Sequence, residues 1–216
     1  MKYKIFIALL SLFSTANFNA QEVQTEETKP ESEKKVYIKG NALLIPIGVV
    51  NLGLEHQITK NITAQGDILI SPWKSFSGHE LQYYSLSLEG RYYFKEAFNG
   101  WFLGANIGVS SFVLQKWNYW NDNPYQSKNE ENVIYTSSNL YQKGYSFLAG
   151  ITAGYQFRLS DNWRMDLYGT IGTSQDFYKG YDGVSGKRYD EKPDGYNRSG
   201  EIIPYRGGVM ISYRIK

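Results

Sequence analysis

The chain has 216 residues, 16% of them aromatic and none of them cysteine, which excludes a disulfide-stapled scaffold and leaves room for one β-rich domain. Its formal charge of +2 belongs to Lys2 and Lys4; past them, 21 basic residues balance 21 acidic ones, which excludes the electrostatic footprint of a nucleic-acid binder. After the first 20 residues no apolar run approaches the roughly 18–20 residues of a membrane-spanning helix, so the remainder is soluble or enters a membrane as strands.

In chain order, "MKYKIFIALLSLFSTANFNA" (1–20) has two lysines, an apolar run from Ile5 to Phe13, and small or polar residues up to Ala20. That is the layout of a secretory signal peptide, with cleavage expected after Ala20 and export as the consequence. Residues 21–35, "QEVQTEETKPESEKK", carry Val23 as their one large apolar residue and read as a disordered polar lead-in. From 36 to 216 the pattern is all-β. Eight strands are expected, at 37–46, 49–58, 62–73, 81–94, 100–115, 141–158, 163–177 and 201–215. The connections at 59–61, 95–99 and 159–162 are short. Those at 74–80, 116–140 and 178–199 are longer, and the first hairpin, through Pro46-Ile47-Gly48, is the short one among them. Short turns at one end and long loops at the other is the asymmetry of an outer-membrane barrel.

The segment "WRMDLYGTIG" (163–172) bears on which face meets solvent. Trp163, Met165, Leu167 and Ile171 alternate with Arg164, Asp166, Tyr168 and Thr170, the period of a strand with one apolar and one polar face. Two aromatic rings settle the expectation. Tyr92, Phe94, Trp101, Tyr155, Phe157, Trp163 and Tyr213 fall toward the short turns on the apolar parity; Tyr84, Tyr145, Phe177 and Tyr205 fall toward the long loops. The rings lie about 8 to 14 residues apart, on the order of 20–30 Å for strands tilted near 45°, against an apolar band of about 25 Å. Tyrosine and tryptophan sit well at lipid headgroups. The expected fold is therefore an eight-stranded antiparallel up-and-down transmembrane β-barrel with its apolar face toward outer-membrane lipid.

The opposite parity then lines the lumen with Glu55, Asp67, Glu89, Arg91, Arg158, Arg164, Asp166, Arg206 and Arg214, four acids against five arginines. Side chains can fill a barrel of this size, and arginine binds carboxylates in bidentate fashion. A packed ionic plug is expected; a narrow porin-like channel through the same residues is the alternative.

The segments "NALLIPIGVVNLGLEHQI" (41–58), "LSLEGRYYF" (86–94) and "GWFLGANIGV" (100–109) resemble a family of small Gram-negative outer-membrane β-barrel proteins of unknown function. That family lies within the wider class of eight-stranded barrels similar to the OmpA membrane domain. Asn41, Asn51 and Glu55 and the run Glu89-Gly90-Arg91-Tyr92-Tyr93 carry most of the likeness, which covers residues 36–216. The resemblance implies fold and cell outer-membrane location, and no activity. Many such barrels end in an aromatic residue, whereas Lys216 stands last here, with Tyr213 and Ile215 nearby on the outward parity.

Chemistry-bearing clusters are sparse. His56 falls on the lipid-facing parity. His79 stands beside Ser77 and Glu80, the one place for a lipid-modifying barrel enzyme, but adjacency in an extended loop does not build a triad. Asp182, Asp190, Glu191 and Asp194 could offer oxygen to calcium, yet lack the ordered spacing of a calcium loop. No enzyme activity, metal or cofactor is expected. Trp117, Tyr119, Trp120 and Tyr125, interleaved with asparagines in 116–140, either cap the barrel mouth or bind an extracellular glycan or protein. The expected role is structural or surface-interactive, through loops 116–140 and 178–199.

Overall fold

The computed structural model describes residues 34–128, 130, 132–190 and 195–216. The expectations for the signal peptide (1–20) and for nearly all of the lead-in (21–35) lie outside the described residues. The chain folds as β1 (Val36–Asn41), β2 (Val50–Gln57), β3 (Ile62–Phe76), β4 (His79–Tyr93), β5 (Gly100–Leu114), β6 (Pro124–Gln126), β7 (Ile134–Thr136), β8 (Leu140–Arg158), β9 (Trp163–Asp182) and β10 (Asn197–Arg214). Eight of these close into an antiparallel barrel, in the order β1-β10-β9-β8-β5-β4-β3-β2, while β6 and β7 pair separately as a hairpin. Only the final step, β1 beside β10, joins strands distant in sequence. Closure pairs both edges of the sheet and leaves neither as a template for association.

The alternation read in 163–172 resolves with the polar set inside. Arg164, Asp166, Tyr168 and Thr170 are buried, whereas Trp163, Leu167 and Ile171 are exposed. The same holds around the ring: Lys39, Glu55, Asp67, Glu89, Arg91 and Gln156 are buried, and Leu54, Leu88, Leu103, Ile107 and Ile151 are exposed. Outward-facing rings also meet in pairs across strands, exposed Trp101 against half-buried Tyr155 (centroids 5.2 Å apart) and Trp163 against Tyr213 (4.9 Å) near the short turns, Tyr145 against half-buried Phe177 (5.2 Å) toward the other end.

Several sequence expectations are corrected. The first strand stops at Asn41, because Pro46 enters a 3-10 turn over Ile45–Ile47 that ends on left-handed Gly48 (φ 71°). Trp73 lies across that turn, donating Nε1 to the Ile47 carbonyl at 2.9 Å, and a Cβ at Gly48 would sit 2.7 Å from the indole. Gly48→Ala should therefore cost about 1–2 kcal/mol through strain and contact, read as a lower urea midpoint with unchanged slope.

The 74–80 stretch is no long loop. β3 and β4 continue to a two-residue turn at Ser77-Gly78, both with positive φ, the backbone that matches strand twist in tight hairpins. The last connection likewise shrinks to 183–196, since β9 runs on to Asp182 and β10 starts at Asn197. Tyr205, assigned by parity to the outer ring, points into the barrel. The β9–β10 register shifts between Pro204 and Arg206, so Tyr205 is the extra residue of a bulge, and its hydroxyl donates to Asn106 inside the lumen. Proline lacks the ladder N–H, which suits Pro204 to that place.

An apolar cluster closes the short-turn end. Tyr37, Tyr93, Ala97, Phe98, Phe102, Tyr168 and Met210 are buried together. Phe98 reaches it from the 94–99 turn with φ 68°, a left-handed backbone uncommon for a bulky residue, and its ring lies 4.4 Å from that of Tyr37. The Ala97 N–H to Lys60 carbonyl bond (2.7 Å) and the Asn61 amide on the Tyr93 and Lys95 carbonyls (2.8 and 2.7 Å) hold that turn under the barrel.

Candidate functional site

Two arrangements of polar side chains stand out: a network inside the barrel and a cap over its long-loop end. The network assembles because inward positions of seven strands, β1 to β4 and β8 to β10, converge. From β1, the Lys39 ammonium donates to Glu55 Oε2 (2.6 Å), Gln65 Oε1 (3.2 Å) and Asp166. From β4, Arg91 donates Nε to Glu89 Oε1 (2.5 Å) and Nη1 to Asp166 Oδ2 (2.9 Å) and Glu55 Oε2 (3.4 Å), with its guanidinium carbon 4.4 Å from the Phe102 ring centre. From β10, Arg206 bridges Asp67 (2.7 Å) and Glu89 (3.0 Å). Hydroxyls occupy remaining acceptor sites: Thr63 and Tyr93 donate to Glu55 Oε1 (2.6 and 2.8 Å), and Thr152 to Glu89 Oε2 (3.0 Å). Gln156 donates to Asp166 Oδ1 at 2.5 Å.

Four carboxylates thus meet three cations, each cation bonded to at least two acids. Burial of these charges is tolerable only because they are paired in this way. Of the nine lumen residues expected from sequence, Glu55, Asp67, Glu89, Arg91, Asp166 and Arg206 join the network. Arg164 is buried lower down, donating Nη1 to the carbonyls of Ser160 (2.5 Å) and Trp163 (3.0 Å). Arg158 is exposed and pairs with Asp161, while Arg214 is half-buried at the same mouth, so neither belongs to the interior set. Sequence reading missed Lys39. Its place on the Tyr37–Asn41 parity, opposite outward Ile38, was the available signal.

At the other end, the 115–139 and 183–196 connections pack on each other. Tyr119, Tyr135, Leu140 and Tyr189 form a buried cluster with Tyr125 and Val133 against it. The Tyr119, Tyr125 and Tyr189 rings meet edge to face at 5.2–6.0 Å. Burial pushes the Tyr189 phenol far above its usual range, so it remains a neutral donor toward Tyr119 Oη at 3.4 Å. A cavity of ≈ 330 Å³ lies beside this cluster, with Lys116, Tyr119, Tyr125, Tyr178, Tyr189 and Arg198 in its lining.

The four candidate recognition residues divide. Tyr119 and Tyr125 build the cap and wall this cavity; Trp117 stands 83% exposed; Trp120 stacks on His79, ring centroids 4.1 Å apart. His79 Nδ1 is 2.7 Å from Gln115 Oε1, and no hydrogen bond joins it to Ser77 or Glu80. Asp182 accepts from the Ser185 N–H and hydroxyl (2.7 and 2.6 Å), and Asp190 pairs with Arg188 (2.7 Å) and Asn197 (2.5 Å), so both carboxylates are engaged in shaping the loop. Glu191 and Asp194 lie outside the described residues. Among the described residues no three acidic, histidine or cysteine side chains group as metal ligands.

The model of one protein family, described as "Protein of unknown function (DUF3575)", matches residues 6–215. No curated protein matches the chain.

Proposed function

We propose, from the premise that the chain belongs to the DUF3575 family, whose description assigns no activity, that it is a non-enzymatic outer-membrane barrel. In this reading an exported chain inserts its strands into the bilayer and presents the aromatic cap outside as a recognition surface. The observation that carries the reading is the inversion of the fold, ionic within and apolar without. Ile107, Ile151, Leu88 and Leu167 are each more than half exposed in mid-barrel, whereas a water-soluble barrel would turn such residues inward. Among the described residues no helix is long and apolar enough to cross a membrane, and a closed barrel, whose backbone groups all pair between strands, is a structure that can span one.

The short 58–61, 94–99 and 159–162 turns then face the periplasm, and the 115–139 and 183–196 loops the exterior. The ion-paired interior and the Phe98 seal favour a plugged barrel over the porin-like alternative. Recognition falls to the tyrosine-lined cavity and to exposed Trp117, where rings can stack on a sugar face while amides and cations bond its hydroxyl or acidic groups. An extracellular glycan is the ligand class this chemistry favours.

The test is gel migration of the protein from an outer-membrane fraction, boiled and unboiled. A closed membrane barrel resists detergent until heated and should show two apparent sizes. A single size with recovery from the periplasmic fraction would overturn the membrane reading.

A further inference from the structure

At the short-turn end, outside both arrangements described above, a cavity of ≈ 290 Å³ is lined by Lys35, Glu96, Ala97, Phe98, Asn99, Arg158, Asp161, Arg164 and Arg214. Four cations face two carboxylates there. Asp161 is taken by Arg158, and Glu96 accepts from the Asn99 amide at 3.5 Å. Among the described residues Lys35, Arg164 and Arg214 have no carboxylate within ion-pairing distance. Among the described side chains that line this concave place, cations therefore outnumber carboxylates by two.

Arg164 distinguishes this from an ordinary basic surface. The residue is only 8% exposed, and one edge of its guanidinium is tied to the carbonyls of Ser160 in the 159–162 turn and Trp163 just after it. The Nε–H remains buried without any hydrogen-bond partner. An unmet charged donor in a buried position costs far more than an exposed one, and an anion in the adjoining cavity would offset that cost by its charge. The surroundings are also fixed. Tyr37 packs against the Arg164 guanidinium at 5.8 Å, and the Phe98 ring packs on Tyr37. Register brings Arg158 opposite Arg164, and Tyr37 opposite Arg214. Three guanidiniums on neighbouring strands surround one space, the donor geometry that grips tetrahedral or planar oxyanions.

We infer that this mouth is an oxyanion site for a phosphate group, held by Arg164, Arg214 and Arg158 with Lys35 at the rim. The surplus of two cations among the described lining side chains suits a phosphate dianion, either free or as the ester of a larger molecule. The site stands on this geometry alone and is independent of what the outer cap binds.

The test is calorimetric titration of the full folded chain with inorganic phosphate, ionic strength held constant with chloride. Saturable binding is expected, weakened roughly tenfold or more by Arg164→Gln with Arg214→Gln, since each removes charge-assisted bonds. Lys35→Gln, outside the strands, should weaken it less and is the variant to rely on if the arginine pair misfolds. Lys74→Gln, an exposed position on β3 toward the opposite end and outside both cavities, should change nothing. A parallel titration with glycerol 3-phosphate separates the sources: tighter binding of the ester marks the group as part of a larger ligand, and equal or weaker binding marks the free ion. Absence of saturable heat, or equal binding by wild type and the Lys35 and arginine variants, overturns the site.

Discussion

Arg91→Met should destabilise the protein by about 3–5 kcal/mol, the usual cost of removing one partner from a buried ionic cluster. Arg91 alone links three carboxylates, Glu89, Asp166 and Glu55, all with side chains closed to solvent. Without it, only Lys39 and Arg206 remain for four acids, and methionine can fill the volume but not the charge. Stacking of the guanidinium on Phe102 is lost as well. The measurement is urea unfolding of the lipid- or detergent-folded chain, with Arg158→Met as its control. Arg158 makes only an exposed pair, so its loss should stay within about 1 kcal/mol. Removing Glu89 together with Arg91, both to Met, should recover part of the loss, because fewer charges remain stranded. Equal stability of Arg91→Met and Arg158→Met would mean that the interior network does not hold the barrel.

Ile107→Arg is the second large effect, and it discriminates between solvents. Ile107 is 64% exposed at mid-strand, paired across β4–β5 with Leu88 and across β5–β8 with Ala149. In a bilayer an arginine at that depth costs about 2–4 kcal/mol. In water the same change on an exposed strand position should stay within about 0.5 kcal/mol. Unfolding of the vesicle-inserted chain, or the fraction that acquires heat-dependent migration, reads the difference. A loss below about 0.5 kcal/mol in vesicles would overturn the membrane reading, whatever the fractionation shows.

Much of the architecture was legible because a strand has a period of two. Alternation alone places Arg164 and Asp166 on one face and Trp163 and Leu167 on the other, and the structure keeps every one of them there. Legibility failed where the period breaks. The bulge at Tyr205 adds one residue, so parity read through it assigns the wrong face. Pro46 converted the end of a predicted strand into a turn, and two positive-φ residues at 77–78 compressed a predicted loop into a hairpin. The outer cap was half legible. Its aromatic density was plain in the sequence, but the division of Tyr119 and Tyr125 into cap and Trp117 into solvent depends on the β6–β7 hairpin and on Tyr189, over sixty residues away.

By itself the sequence determined the all-β class, the number of barrel strands, the asymmetry between the two ends and the polarity of each face. Those properties follow from local periodicity, turn chemistry and chain length between turns. Only the tertiary structure decided which charges meet. Lys39, Glu55, Arg91 and Asp166 come from β1, β2, β4 and β9, and their contacts exist because closure brings β1 against β10 and folds the strands around one narrow interior. It also decided that Arg158 and Arg214 stay at the mouth, beside a buried Arg164 whose Nε has no partner. Depth along a strand, unlike facing, is set by register across the whole ring, and a one-dimensional pattern carries no record of it.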